Sequence, residues 1–392
     1  MSIMNEYIQK KFTVAQYEEE LLSLISKYNQ LKNTFLLIFF TFTEKPLPIK
    51  LLMLSQDDYY TINDLICKKN HLNSIDIYLE SPGGRGDTAK ELADLFHSCT
   101  EEVNFVICGE AKSAATILTL SGNNILMTRT GSLGPIDAQV TIGNRTVSSF
   151  DYIQWIEDKR EEAKKIGKLN PVDATIIAQI IPGEALYVMN ALEFAKDLVK
   201  EWLPKYKFKN WFKTETHKNE VTEEYRKKRA YEVAEALVNR EKWKLHQMSI
   251  KASDLKEVLK IEDIDQNLDL KDTVYKIHIV CRILCSLTNT YKIFATSEYK
   301  IFKQAGQQQP SKILTPKGEP KVVEIDISCP KCSKKYNLYG KFIDDPEIDK
   351  EMKKKGSVQF PESNKLNCSC GFEFNLLPYK SDIERNIGKR II

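Results

Sequence analysis

Short apolar runs punctuate the first third of the chain: Phe35 to Phe42, Ile75 to Leu79, Val103 to Cys108 and Ile125 to Met127. Each reads as a buried strand. The intervening stretches Asp87 to Cys99 and Ala114 to Leu120 place apolar residues three to four apart and predict helices. Strand and helix alternate at the spacing of successive βα units, so the expected class is α/β with mostly parallel strands. In such a sheet, ligands sit at the carboxyl ends of the strands.

Flanking this core, residues 5 to 32 carry Tyr17, Leu21, Leu22, Leu24, Ile25, Tyr28 and Leu31 on a helical period, predicting one amphipathic helix used as a packing or dimerisation arm. Beyond residue 148 the pattern is mainly helical: Asp151 to Lys165, Val172 to Leu203, Glu223 to Arg240 and Asp272 to Phe302. Gln304 to Pro320 has almost nothing to bury and reads as a linker. The expected organisation is an N-terminal arm (1–33), a core domain (34–303), the linker (304–320) and a small C-terminal domain (321–392).

Composition narrows the classes. With 42% hydrophobic and 28% charged residues, 392 residues suit two or three globular domains rather than a disordered chain. Lys+Arg 57 against Asp+Glu 54 leaves +3, too balanced to demand a nucleic-acid or membrane partner. The longest apolar run falls well short of the roughly 20 residues a membrane span needs. The N-terminus lacks a signal-peptide pattern, and the cysteine spacing suits reduced thiols, so a cytoplasmic location is expected.

Three segments carry candidate chemistry. Ser74 to Thr88 reads as a strand, then Pro82-Gly83-Gly84, then a helix capped by Gly86 or Asp87. Paired glycines after a strand let the backbone turn sharply and direct amide N–H groups at a ligand, as an oxyanion requires. The second strand to its C-terminal side ends in Gly109-Glu110-Ala111-Lys112-Ser113-Ala114-Ala115-Thr116, which places the Ser113 hydroxyl at a helix N-terminus among small residues. Gly131-Ser132-Leu133-Gly134-Pro135-Ile136-Asp137 forms a third, Gly/Pro-punctuated loop.

In order and spacing, SPGG at 81–84, AKSAAT at 111–116 and GSLGPIDAQ at 131–139 resemble the Clp protease and crotonase superfamily, and more closely its serine dehydrogenase proteinase branch, relatives of the signal peptide peptidases. The resemblance implies a ClpP/crotonase-like fold and an ATP-independent serine peptidase acting on peptides or proteins. It implies Ser113 as nucleophile, an oxyanion hole from amides near Gly83, Gly84 and Ala114, and self-association into a homo-oligomer. In that branch the triad runs serine, aspartate, histidine, which assigns Asp137 and His246, the latter within the segment Trp243 to Ala252 before a helix at Ser253 to Leu259. The family pattern has methionine where Lys112 stands, glycine at Ala115 and a second proline at Ala138.

A Ser/Lys dyad is the competing base assignment, with Lys112 adjoining the serine and Lys159, Lys164, Lys165 and Lys168 downstream. His71, His97 and His278 read as structural. The alternative function is a catalytically inactive ClpP-like scaffold that binds nucleic acid or a protein partner.

Cys329-Pro330-Lys331-Cys332 and Cys368-Ser369-Cys370-Gly371 form C-x2-C and C-x-C pairs. Four thiolates at these spacings suit one tetrahedral, structural Zn²⁺ in a zinc ribbon that recruits substrate or partner, with no metal used in catalysis. Trp202 to Lys213 interleaves lysines with aromatics; a nucleic-acid stripe is possible chemistry, but aromatics packed inward under solvated lysines is the favoured reading.

Overall fold

The computed structural model describes residues 2–66, 72–137, 139–142, 145–214, 218–239, 243, 248–305, 321–329, 332, 334–387 and 389–392. The chain divides into two compact units: Leu22–His278 with Ile293–Ile301, and Met1–Leu21 with Ile279–Lys292 and Phe302–Ile392. The stretch expected to be a linker lies outside the described residues from 306 to 320.

Up to residue 305 the described strands are β1 (Phe35–Thr41), β2 (Ile75–Glu80), β3 (Val103–Ile107), β4 (Glu110–Ala111), β5 (Asn124–Met127), β6 (Ser132–Leu133), β7 (Gln139–Ile142), β8 (Arg145–Ser148), β9 (Glu262–Asp263), β10 (Thr290–Ala295) and β11 (Lys300–Gln304). Seven of them form one sheet in the order β11-β10-β1-β2-β3-β5-β9. Pairing is parallel from β1 through β9. The expected α/β class with a mostly parallel sheet is the fold observed.

The central strands are buried on both faces, apolar throughout in β1 from Phe35 to Phe40, whereas β2 and β3 keep one apolar face and carry the buried polar residues Asp76, Glu80 and Asn104 on the other. Leu37, Phe39, Ile77, Leu79, Phe105 and Ile107 join one core with residues of the helices on that side. These helices include α4 (Gln56–Ile66), α5 (Gly86–Cys99) and α6 (Ala114–Thr119), following α1 (Ile3–Lys10), α2 (Val14–Lys32) and α3 (Ile49–Leu52). On the β2 residues of opposite parity, Tyr28 donates to Asp76 (2.6 Å), and Asp76 also accepts from Asn104 (2.9 Å).

The remaining helices of this part are α7 (Ser149–Ile166), α8 (Pro171–Ile177), α9 (Pro182–Trp202), α10 (Glu223–Val238), α11 (Ala252–Leu255) and α12 (Leu268–Leu287). Four sequence expectations are corrected. The single helix over 5–32 is two, because Lys11 adopts a left-handed cap (φ 48) and Thr13 and Gln16 exchange capping-box bonds. The helix over 172–203 is broken before Pro182, whose ring cannot continue α8, while α9 runs on into a π-turn at Leu203–Lys207. The helix over 272–302 ends at Leu287; Thr290–Ala295 is instead a strand beside β1, since its β-branched and aromatic residues find a sheet edge to pair with. The helix over 253–259 is only α11.

The C-terminal residues build β12 (Val322–Ser328), β13 (Lys335–Lys341), α13 (Pro346–Lys354), β14 (Val358–Gln359), β15 (Lys365–Asn367), β16 (Glu373–Asn375) and α14 (Leu377–Ile387). Two antiparallel pairs, β12 with β13 and β15 with β16, enclose a small core of Val323, Ile325, Ile327, Leu338, Phe360 and Phe374.

Candidate active site

Beyond the carboxyl ends of the main strands, short segments pair into a second layer. Leu54 bridges Gly84, Ser81 bridges Ala111, β4 pairs with β6 in parallel, and Leu133 bridges Ile250. The bonds are short: Ser81 N–H to Glu110 O (2.8 Å), Lys112 N–H to Ser81 O (3.0 Å), and Leu133 and Ile250 exchanging two at 2.9 Å each. This layer sets the segments 81–84, 110–113, 132–137 and 248–250 side by side. Thr116 ties them further, donating to Ala111 O (2.7 Å) and accepting from Gly134 N–H (2.9 Å).

Ser113 precedes α6 with φ 51 and ψ −120, a conformation an L-residue holds only when its surroundings enforce it. The enforcing contacts are the bonds of residues 110–112 on one side and the buried helix on the other. Ser113 is half-buried, and among the described residues its hydroxyl makes no hydrogen bond.

Gly83 (φ 91) lies directly against it. A Cβ at Gly83 would stand 2.5 Å from Lys112 O, 2.8 Å from Ser113 Cβ and 3.1 Å from Ala114 N, so no other residue allows this approach. Gly83 O accepts from Leu54 N–H (2.7 Å), which holds the loop down. The three amides expected to form an oxyanion hole are not equivalent. Gly83 N–H is turned to Ser81 Oγ (3.2 Å), whereas Gly84 N–H and Ala114 N–H donate to no described residue. The helix expected to be capped by Gly86 or Asp87 starts at Gly86 with Arg85 as the cap residue, in extended conformation and without a side-chain bond.

Asp137 is fully buried, and its Oδ1 accepts from Phe150 N–H (3.1 Å) at the start of α7. A groove of about 690 Å³ lies beyond, lined by Phe150, Asp151, Gln154, Asp158, Glu235 and Asn239. His246, with His71 and His217, falls outside the described residues, but both flanks of its segment are placed. Trp243 is buried with its indole N–H on Ala236 O (2.6 Å), and Ile250 bridges Leu133 of β6.

The remaining histidines hold structural contacts. His97 stacks on Tyr206 at 3.6 Å and bonds Ser121 O, burial pushing its pKa down despite that bond. His278 Nδ1 bridges Tyr78 (2.9 Å) and Glu80 (3.0 Å). Among the alternative lysines, Lys159 pairs with Glu162 and Asp173, whose hydrogen bonds raise its pKa, the wrong direction for a base. Lys164 pairs with Glu161 at 2.6 Å. Lys112 is buried, and its amine is directed at residues 132–133 and 248–249. In the sequence, an isolated lysine inside a run of small residues is the only local sign of that contact.

In the 202–213 stretch Trp202 and Phe208 are buried, Tyr206 carries the His97 stack, and Lys205 and Lys209 are exposed, as inward-packed aromatics under solvated lysines require, but Phe212 is 60% exposed beneath the Arg226 guanidinium. Lys207 also departs from that pattern: half-buried, its amine is lowered by desolvation to about 8.

The four C-terminal cysteines converge. Cys329 and Cys332 lie between β12 and β13, and Cys368 and Cys370 lie between β15 and β16. Sγ of Cys329 is 3.5 Å from that of Cys370, Cys332 stands at the same distance from Cys368, and all four lie within 4.8 Å of one another. A tetrahedral Zn–S site with bonds of about 2.3 Å needs sulfurs about 3.8 Å apart, so the set fits the ion. The Cys370 amide and then the Tyr336 hydroxyl stabilise the Cys368 thiolate, bringing its pKa to about 6.

These features meet their counterpart in sequence comparison. Residues 60–130 match the Clp protease family. The match contains SPGG and AKSAAT and stops short of Asp137 and His246. No curated protein matches significantly. Among solved structures, the chain is similar to a serine-substituted form of the 1510-N membrane-bound stomatin-specific protease, at 14% identity over 56% of this chain and 79% of that one, with TM-score 0.28. A second form of that protease, lysine-substituted and bound to a substrate peptide, gives 15% identity over 53% and 65%, with TM-score 0.27. Among the described residues, no single helix is long and apolar enough to cross a membrane.

Proposed function

We propose that the chain is a serine peptidase of ClpP-like fold in which Ser113 is the nucleophile. The observation that carries this reading is the strained Ser113 backbone pressed against Gly83, with the Gly84 and Ala114 amides unengaged among the described residues. The Clp protease match over 60–130 supports it at the family level.

Ser113 Oγ would attack the scissile carbonyl as His246 takes its proton, giving a tetrahedral intermediate whose oxyanion the Gly84 and Ala114 amides receive. Collapse expels the amine, protonated by His246, and leaves an acyl ester on Ser113. Water, activated by the same imidazole, then releases the acid. Asp137 would orient the imidazole.

The C-terminal hairpins are proposed to be a zinc ribbon held by Cys329, Cys332, Cys368 and Cys370, recruiting substrate or partner; four thiolates leave the ion no open position for catalysis. Self-association is proposed through α8, α9 and the turn between them, where Val172, Ile176, Ile181, Leu186, Tyr187 and Met189 are all exposed.

A fluorophosphonate probe tests the central reading. It should label the wild type and not Ser113→Ala; equal labelling of both would leave an inactive scaffold as the better description.

A further inference from the structure

Lys112 stands one residue before the candidate nucleophile and is only 7% exposed. Its Nζ enters the seam between two other segments, donating to Ser249 Oγ (2.9 Å), Met248 O (3.1 Å), Leu133 O (3.2 Å) and Ser132 Oγ (3.4 Å). An ammonium has three N–H donors, so four acceptors more than saturate it. All four are carbonyl or hydroxyl oxygens. Burial lowers the lysine's pKa, Glu110 opposing and Lys251 reinforcing the shift. A cation kept this far from water is costly unless it is fully hydrogen-bonded, which the seam accomplishes.

The acceptors belong to the two segments on which the triad depends. Ser132 and Leu133 begin the loop that leads to Asp137; Met248 and Ser249 follow at once the stretch that holds His246. Lys251 reciprocates, its Nζ donating to Thr130 O (2.8 Å) and Gly131 O (3.1 Å). Between the two lysines, Leu133 and Ile250 exchange their backbone bonds.

We propose that Lys112 is a positioning residue, an internal staple that fastens the segment after His246 to the 132–133 segment and so sets where the imidazole stands relative to Ser113. The proposal rests on the reading of Ser113 and His246 as nucleophile and base. Lys112 is not itself the base: its amine is committed to the seam and makes no bond to the Ser113 hydroxyl. Methionine, the residue the family pattern carries there, fills similar volume without donors, so Lys112→Met removes the staple while leaving the packing.

Two measurements on the full-length protein decide it. In hydrogen exchange, Lys112→Met should speed exchange in peptides covering 248–251 and 132–134 by about tenfold, the scale of one lost hydrogen-bonded anchor, with strands β1 to β3 unchanged. Unchanged exchange at 248–251 overturns the staple, whether or not the protein is a peptidase. In fluorophosphonate labelling, Lys112→Met should slow the reaction of Ser113 about tenfold in the wild-type background and have no further effect in His246→Ala. Equal slowing in both backgrounds means that Lys112 acts on Ser113 directly, and the assignment falls. A wild type that labels no better than Ser113→Ala defeats the peptidase reading alone, and exchange still decides the staple. Should Lys112→Met fail to fold, Ser249→Ala deletes the shortest contact and must shift both readouts in the same direction, or the proposal is lost.

Discussion

Gly83 and Ser113 are packed so closely that a single methyl group on the glycine would stand 2.8 Å from the serine Cβ. With φ at 91, the glycine is also in a region where side chains are strained. Gly83→Ala should therefore push Ser113 away from the loop, costing about 2–4 kcal/mol from overpacking and backbone strain together. Chemical denaturation gives the cost, and probe labelling should fall with it. A variant that labels at the wild-type rate would show that the contact does not shape the site.

Ser113 carries strain of its own, of order 1–3 kcal/mol at φ 51 and ψ −120. Ser113→Gly should relieve it and raise stability by about 1 kcal/mol while abolishing labelling, because glycine's entropic penalty is smaller than the strain removed. Ser113→Ala should abolish labelling without the gain. A glycine variant less stable than the alanine one would contradict this account of the turn.

Lys207 offers a pH test. Its folded pKa is about 8 against an ordinary 10.5, so below pH 8 both folded and unfolded chains carry the charge and the fold bears the full burial penalty. Between pH 8 and 10.5 the folded state alone releases its proton, and stability relative to a neutral variant rises. Lys207→Met should thus be more stable than wild type at pH 7, by about 1–2 kcal/mol after allowing for partial exposure, and the advantage should shrink toward pH 10.5. Unfolding free energies of both proteins across pH 7 to 10 provide the check; a constant difference would contradict it.

Purified protein should hold one zinc per chain, measured by atomic emission, and Cys329→Ser or Cys368→Ser should abolish retention. Because the hairpins enclose only a small core, chelation should unfold them, seen as faster hydrogen exchange over 321–392. Metal-free protein with unchanged exchange there would show that the thiols serve another purpose.

If α8 and α9 form a contact between copies, Leu186→Glu with Tyr187→Glu should reduce the sedimentation coefficient, since charges placed in an apolar interface lose their hydration without partners. Both residues are more than half exposed, at 54% and 62%, so the substitutions should leave folding intact. A monomeric wild type would remove the basis of the idea.

Much of this molecule was legible along the chain, for local reasons. β1 announces itself as a continuous apolar run and β2, β3 and β5 as short runs dominated by apolar residues, and Gly83 and Gly84 are required wherever a backbone must come this close to its neighbour. The paired cysteines were equally plain, because C-x2-C and C-x-C spacings bring thiols close enough to share one ion. What failed were readings where two local preferences compete. The 290–295 segment has apolar spacing that suits a helix as well as a strand, and only a partner edge decides between them.

The sequence by itself determined the strands and helices of the βα core, the glycine-lined turn before α5 and the hydroxyl before α6, since each follows from the conformations available to a few adjacent residues. Tertiary structure alone left the Gly84 and Ala114 amides without an acceptor among the described residues. It alone made Lys112 a link between residues 132–133 and 248–249, far apart along the chain. The physical reason is that a hydrogen bond is a contract between two groups in space: each residue shows what it can donate or accept, and only the folded backbone brings it a partner.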